Sequence, residues 1–403
     1  MNASDSERVA TILDNMGYDR AKTADLADLI VVVACSVKKA PIDRIMGKGH
    51  NWLARRKAGK LVTILTGCVL DDDLEIFEKR FDCILPIGDI GRLPQILQNE
   101  CELELDSYFH INPNYNSSFQ AQVPIMTGCN NFCSYCVVPY VRGKEVSRPA
   151  KEIINECKNL IKKGYKEITL LGQNVNSYSD SLVFPELLKE IDKIKGDYWL
   201  RFMSSHPKDF SNELIEVMKN GEHTTPHLHL PVQSGDKSIL TAMNRKYTPQ
   251  EYLEIIDQAK KEIPSLMIST DIIVGFPGES RTQFLNTLAM MEEVEYDMAY
   301  ISQYSQRAKT EAADLVDDVS SSEKKRRDME LTEILKKTAL SHNQQFIGQA
   351  VRVLVESCKK GKCFGKTRDF RTVEFKGPSD LIGEFVDVKI IDTNSWVMQG
   401  EFK

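Results

Sequence analysis

The sequence predicts an α/β protein of three domains: a small parallel sheet over residues 1–113, a partial (β/α)6 barrel over 119–346 and a small all-β barrel over 347–403. Three observations predict it. Short apolar runs alternate with helical periodicities through most of the chain, which is the β/α pattern. An Asn- and Ser-rich segment, Asn112–Ser118, interrupts that alternation once, as a linker does. After Gly348 the helical periodicity stops, and short strands separated by Gly and Lys take over. A length of 403 residues agrees, being between two and three domains at about 150 residues each.

In the first domain a periodic helix spans Asp5–Met16, followed by the apolar run Leu29–Ala34, a helix over Ile42–Ala58 and the run Leu61–Leu65. A short helix over Leu74–Arg80, an apolar piece Ile84–Ile87 and a helix over Leu93–Cys101 complete it. Both main strands lead into a cysteine, Cys35 and Cys68, and the carboxyl ends of parallel strands are where open α/β sheets hold ligands. In the second domain the strand candidates are Val123–Met126, Glu167–Leu171, Leu200–Met203, His227–Val232, Ile268–Phe276 and Met298–Tyr304. Helical patterns fall between them at Ile153–Lys163, Phe184–Ile194, Leu214–Lys219, Pro249–Glu262 and Ser280–Glu293. Functional groups of such a barrel belong just after each strand. A long amphipathic helix opens at Glu323 and runs to Phe346, and short strands at Ala350–Glu356, Thr372–Phe375 and Glu384–Ile391 predict the last barrel.

Composition narrows the class. Hydrophobic residues are 42% and charged residues 27%, ordinary usage for a folded protein. The longest apolar run, Leu29–Cys35, is far short of the roughly 18 residues of a membrane span, and the acidic start at Asp5 and Glu7 is no signal peptide. These features point to a cytoplasmic protein with no membrane partner. Ten cysteines in 403 residues are too sparse for a disulfide scaffold, so ligands among bystanders are expected. The net charge of -6 announces no global basic field, and a nucleic-acid partner would need a local patch.

The strongest chemical signal is Cys129, Cys133 and Cys136, set immediately after the first barrel strand in Thr-Gly-Cys-Asn-Asn-Phe-Cys-Ser-Tyr-Cys. Three thiolates can hold three irons of a cubane and leave the fourth open to a small molecule. Zinc is the competing reading, yet structural zinc takes four ligands in paired modules, and no partner pair follows at the usual spacing. Cys35 and Cys68 could equally be small buried hydrophobes. The segment Gly275–Glu279 follows a strand with two glycines but lacks the Gly-Lys-Ser/Thr ending of a phosphate loop, so it reads as a turn shaping the site. In residues 348–403 there are 10 Lys+Arg against 8 Asp+Glu, a local reversal of sign. Lys359, Lys360, Lys362, Lys366, Arg368 and Arg371 gather there around Phe364 and Phe370, a mixture suited to phosphates and splayed bases, or else a solvated face.

The Cys-x3-Cys-x2-Cys motif at the mouth of a partial barrel resembles the radical S-adenosylmethionine superfamily. Flanking residues make the likeness narrower. The string Cys136–Pro149, Cys-Val-Val-Pro-Tyr-Val-Arg-Gly-Lys-Glu-Val-Ser-Arg-Pro, resembles the methylthiotransferases, and among them the branch that makes 2-methylthio-N6-isopentenyladenosine in tRNA. Further matches lie at 170–178, 204–207, 229–235 and 271–279, in Asp5-Ser6-Glu7, Ala34-Cys35-Ser36-Val37 and Gly67-Cys68, and in the last 56 residues, which look like the family's RNA-binding barrel.

The resemblance implies a [4Fe-4S] cluster on Cys129, Cys133 and Cys136, whose open iron binds S-adenosylmethionine and cleaves it to a 5'-deoxyadenosyl radical. It implies a second, auxiliary [4Fe-4S] cluster that carries the sulfur, on three cysteines of which Cys35 and Cys68 match. Strand ends then nominate Gln173, Asn174, His206, Gln233, Ser234, Arg245 and Asp271 for S-adenosylmethionine, with capped, satisfied strand ends as the plainer reading of His206 and Gln233. Cys83, Cys101, Cys157, Cys358 and Cys363 match no motif and are expected to be bystanders. The implied partners are tRNA and an unidentified electron donor, for a chain acting as a monomer. Sister enzymes acting on threonylcarbamoyl-adenosine or on a ribosomal-protein aspartate share these features, and a non-catalytic zinc- and RNA-binding protein is the alternative of another class. Two departures stand out. The family places a cysteine two positions before the segment that here begins at Met1, which suggests a start set too late, and Arg307-Ala308-Lys309-Thr310 stands where Arg-Pro-Gly-Thr is expected.

Overall fold

The computed structural model describes residues 1–35, 39–97 and 108–402. Among them no helix is long and apolar enough to cross a membrane. The chain divides into two compact units, Met1–Asn116 with Thr127–Val146 and Ser305–Asp314, and Ser117–Met126 with Ser147–Tyr304 and Leu315–Lys403.

In the first unit, Leu29–Cys35, Val62–Cys68 and Cys83–Ile84 form a parallel sheet in chain order. Burial on both faces explains the unbroken apolar strands, because a parallel sheet is covered on each side. Ile64 faces one core with Val9, Ile12 and Ile90, and Leu65 faces another with Trp52, Phe77 and Phe81. The helices Asn2–Asn15, Lys39–Lys57 and Asp71–Glu78 lie within a few residues of the predicted ones. The third strand is shorter than expected because Pro86, which has no N–H to donate, ends the ladder, and a 3-10 turn follows over Ile87–Arg92. The helix beginning at Leu93 is seen only to Ile96, and the rest of the expected element, Cys101 included, lies outside the described residues.

In the second unit six strands form two three-stranded parallel sheets, one of Gln120–Pro124, Glu167–Leu171 and Trp199–Phe202 and one of His227–His229, Met267–Val274 and Met298–Gln303, each in chain order. Leu200 N donates to His223 O and Thr225 N to Leu200 O, joining the third strand to the backbone just ahead of the fourth. No ladder closes the first strand onto the last among the described residues, so this is a half-barrel. Helices return outside it, started by hydroxyl caps at Ser211, Thr248 and Ser280, the last two with reciprocal Glu251 and Gln283.

The last strands close into a five-stranded barrel, in the order Ala350–Lys359, Lys362–Thr367, Thr372–Lys376, Met398–Phe402 and Phe385–Thr393. Cys358 and Cys363, expected as bystanders, face each other in register across the first hairpin and are joined by a disulfide. This barrel is clamped to the half-barrel by Arg201, which is 1% exposed. Its Nε donates to Glu167 at 2.6 Å, while Nη1 and Nη2 donate to the carbonyls of Arg368 and Thr367 at 2.8 and 2.9 Å. Phe370 stacks on His227 at 4.7 Å beside it.

Candidate active site

The cysteine triplet lies on the loop between Thr127 and Val146. Gly128 has φ +81°, and a Cβ there would lie 2.0 Å from the Lys144 carbonyl, so only glycine lets the two arms of the loop close. Cys129 N donates to Gly143 O, Cys136 N donates to Cys133 O, and Asn130 and Glu145 exchange hydrogen bonds between backbone and side chain. The three thiols are reduced and half-buried, open enough to be reached by a cluster. Among the described residues no three His, Cys, Asp or Glu side chains are grouped as around a metal ion, the cysteine triplet included.

In the same unit Cys35 and Cys68 are register partners at the ends of adjacent strands. Gly67, at φ +102°, makes that approach possible, since a Cβ would lie 2.4 Å from the Ala34 carbonyl. Arg142, from the helix that follows the triplet, donates Nε–H to Cys68 Sγ at 3.2 Å and pairs with Asp5 at 2.6 Å, both side chains being almost fully buried. Asp5 also accepts the Tyr108 hydroxyl at 2.6 Å. Burial pushes the Cys68 thiol up, and the adjacent Arg142 charge acts against that shift. Arg142 Nη1 is buried with no partner, a spare donor on the residue that holds Cys68. The two cysteines nominated for an auxiliary cluster are therefore register partners, with a cation beside Cys68. Arg142 lies within the Cys136–Pro149 string, whose local sequence carries no sign of this contact. In the departing loop Lys309 takes φ +64°, a conformation that favours glycine, and Arg307 pairs with Asp73 at 3.2 Å.

In the second unit the loops after Glu167–Leu171 and Trp199–Phe202 are linked by Val175 N donating to Ser204 O. They hold a concentration of buried polar atoms without partners: Gln173 Oε1, Asn174 Oδ1, both amide atoms of Asn176, Ser205 Oγ and His206 Nε2. Buried polar groups are almost always bonded, so so many orphans on two adjacent strand ends fit a polar ligand. Burial first, then the Arg245 and Lys208 charges, lower the His206 pKa to about 2. Since His206 Nδ1 accepts from Lys208 N, the neutral ring carries its proton on Nε2, as a donor. Asn176 and Ser205 were missed by the sequence reading, although both sit in its motif strings.

Three nominated residues are otherwise engaged. Ser234 is fully buried and bonded to Thr287 and to Asp236 N, and so shapes its turn. Arg245 donates to Tyr247 and to the Pro231 carbonyl, holding the strand-end loop. Gln233 adopts φ +70° and bridges Asp271 and Ile273 through its backbone. Asp271 lies on the half-barrel wall, 3.6 Å from His229. Among the basic residues, Lys359, Lys360 and Lys362 are exposed on a hairpin, with Lys362 paired to Glu374 at 2.6 Å. Lys366 is covered against Glu356 and Phe370, Arg368 donates to the carbonyls of Glu222 and Thr224, and Arg371 pairs with Asp297 and Asp369. Arg368 and Arg371 thus join one barrel to the other while Lys366 bonds within its own barrel, so the six cations are not one uncommitted patch, although Arg368 stays exposed.

Three family models match the chain: the radical SAM superfamily over residues 123–291, the uncharacterized protein family UPF0004 over 1–86 and the TRAM domain over 344–403. Among curated relatives, tRNA-2-methylthio-N(6)-dimethylallyladenosine synthases from Thermoanaerobacter sp., Fusobacterium nucleatum and Clostridium botulinum are 40%, 38% and 41% identical. Each alignment covers 100% of this chain, and 90%, 97% and 94% of the respective relative. Among solved structures, the radical S-adenosylmethionine methyltransferase TsrM from Kitasatospora setae aligns with a TM-score of 0.51 at 11% identity, over 87% of this chain and 70% of that one. That likeness speaks for the fold. With full-length identity at this level, the chain belongs to the tRNA-2-methylthio-N(6)-dimethylallyladenosine synthase family of radical S-adenosylmethionine enzymes.

Proposed function

We propose that the chain converts N6-isopentenyladenosine next to the tRNA anticodon into its 2-methylthio derivative. The observation that carries this is identity of 38–41% to synthases of that name across all three regions. Cys129, Cys133 and Cys136 would hold the [4Fe-4S] cluster, and the orphaned polar atoms of Gln173, Asn174, Asn176, Ser205 and His206 suit the polar parts of S-adenosylmethionine. With S-adenosylmethionine bound, such a cluster supplies a radical able to activate an aromatic C–H bond that no side-chain base could deprotonate. The chain's own part is to hold and exclude: His206 offers a neutral N–H donor, and buried amides replace water around the ligand. Cys35 and Cys68 would hold an auxiliary cluster that carries sulfur, with Arg142 offsetting thiolate charge.

The RNA partner would be gripped by Lys359, Lys360 and Lys362, and Lys366, Arg368 and Arg371 are taken out of that surface. Nucleoside analysis of tRNA from cells lacking and then regaining the gene tests the reading. The 2-methylthio-isopentenyl nucleoside should vanish and return. A changed threonylcarbamoyl nucleoside would favour the sister activity, and no change in tRNA would overturn the proposal. Absorbance of the anaerobically reconstituted protein adds a separate check, because a zinc protein is colourless.

A further inference from the structure

The inner wall of the half-barrel carries an aromatic ring and a carboxylate that the protein leaves unused. Along Met267–Val274, Ile268, Thr270, Ile272 and Val274 are buried on the outer face, which puts Ser269, Asp271 and Ile273 on the other. In the neighbouring strand Gln303 bonds Asp328 of the outer helix Ser321–Gln344. Ala299, Ile301 and Gln303 therefore face outward, and Tyr300 faces in. Asp271 and Tyr300 are register partners, so their side chains stand together. The Asp271 side chain is 41% exposed and Tyr300 48% exposed, on a wall where Ser269 is 3% exposed.

Neither group is consumed. Among the described residues the Asp271 carboxylate accepts no hydrogen bond and has only His229 Nε2 near it, at 3.6 Å. The Tyr300 ring meets His229 edge-on at 5.9 Å. His229 is itself fixed, with Nδ1 3.0 Å from Ser269 Oγ, which lies 3.1 Å from His227 Nε2. Phe370 covers His227 below. A rigid polar column thus aims a carboxylate into open space beside a half-exposed aromatic face.

We propose that this wall is a cradle for the target adenosine, with Tyr300 as its stacking face and Asp271 as acceptor for its N6–H. The inference rests on the functional reading above and names the specificity groups of that site. An N6-monoalkylated adenosine keeps one N6 hydrogen, which a carboxylate can accept, and a dialkylated one has none. A planar base also suits a tyrosine face beside a polar rim. The adenine of S-adenosylmethionine shares this chemistry, so the test must separate the two.

The test uses full-length reconstituted protein and two anticodon stem-loop RNAs, one with N6-isopentenyladenosine and one with N6-methyl-N6-isopentenyladenosine, with affinity read by fluorescence anisotropy. Losing a hydrogen bond to a charged acceptor corresponds to about ten- to a hundredfold in affinity. The wild type should prefer the first RNA by that factor, and Asp271→Ala should lose the preference by weakening only the first. Asp271→Asn, which keeps one acceptor oxygen, should recover part of it. Tyr300→Ala should weaken both RNAs equally, and Tyr300→Phe should restore both. S-adenosylmethionine affinity, measured by equilibrium dialysis, should stay within about twofold in every variant, because the cradle role of Asp271 replaces its nomination for S-adenosylmethionine. Unaltered discrimination in Asp271→Ala, or a fall in S-adenosylmethionine affinity with RNA binding intact, would overturn the cradle while leaving the proposed activity standing. A wild type that methylthiolates no tRNA would overturn that activity and the cradle with it.

Discussion

Asp5 and Arg142 are 137 residues apart in sequence and form one buried ion pair, to which Tyr108 and Cys68 add a hydrogen bond each. Removing one partner leaves a buried charge, which costs about 3–5 kcal/mol, whereas replacing both by apolar groups of like size is close to neutral. Arg142→Gln should therefore destabilise the unit carrying Cys35 and Cys68 by that amount in urea unfolding, and Asp5→Leu combined with Arg142→Met should recover most of it. If the single and double variants are equally unstable, the pair is not the cause. No periodicity could show this contact, because it joins the start of one helix to the end of another 137 residues on, whereas the Cys129, Cys133 and Cys136 motif is a matter of local spacing alone. His206 makes a second prediction. Its folded pKa is about 2, against an ordinary value of 6.5. Below pH 6.5 the unfolded chain takes up a proton that the folded one refuses, so stability falls as pH falls, by about 1.4 kcal/mol per pH unit for one such group. The stability gap between wild type and His206→Asn should shift in favour of the variant between pH 7.5 and pH 5.5. A gap independent of pH would show that His206 is not held neutral.

At the scale of elements, the loop Thr367–Arg371 decides how the RNA-binding barrel meets the half-barrel. Phe370 sits at φ +74°, a conformation that costs a bulky residue about 1–3 kcal/mol, and it is held there by stacking on His227 and by Arg201 beneath it. Phe370→Ala loses the stack and keeps the strain, while Phe370→Gly loses the stack and releases it. The glycine variant should be the more stable of the two by about 1 kcal/mol or more in thermal or urea unfolding. Equal stability would mean that the loop relaxes once the ring is gone. This loop also shows where sequence reading stops. The six half-barrel strands were legible because each overlaps a short run set between helical periods, although the bounds moved, as from Val123–Met126 to Gln120–Pro124. The strand Lys362–Thr367 was not, because its inward residues are Cys363, Gly365 and Thr367, and Gly365 is required where a Cβ would lie 2.2 Å from the Leu354 carbonyl. Its outward lysines look like a charge run, and only pairing with both neighbours reveals a strand. For the same reason Arg368 and Arg371 looked like phosphate ligands: composition counts cations but cannot see the carbonyls and carboxylates they already hold.

Over the whole molecule the net charge is -6, and the exposed lysines of one hairpin are the proposed grip on a polyanion. Lys360 and Gly361 take φ +53° and +76° in a tight turn between Lys359 and Lys362, so three cations project within four residues. Each phosphate contact contributes about 0.9 to the slope of log affinity against log salt, so losing two or three should lower that slope by about 2–3. The variant for this is Lys359→Ala, Lys360→Asn and Lys362→Ala, with asparagine at 360 because it tolerates the left-handed backbone. Its affinity for tRNA should fall, its salt slope should fall with it, and cleavage of S-adenosylmethionine without RNA should be unchanged. Arg368→Ala should do the reverse, lowering unfolding stability through the lost bonds to Glu222 and Thr224 while leaving the salt slope where it was. The contrast matters more than either result, because a cation touching phosphate is seen by salt and one touching a carbonyl is not. If the triple variant keeps the wild-type slope, the hairpin is a solvated face. If Arg368→Ala lowers the slope as much as the lysine changes do, the two barrels share one RNA surface and the division drawn between docking and RNA-gripping cations is wrong.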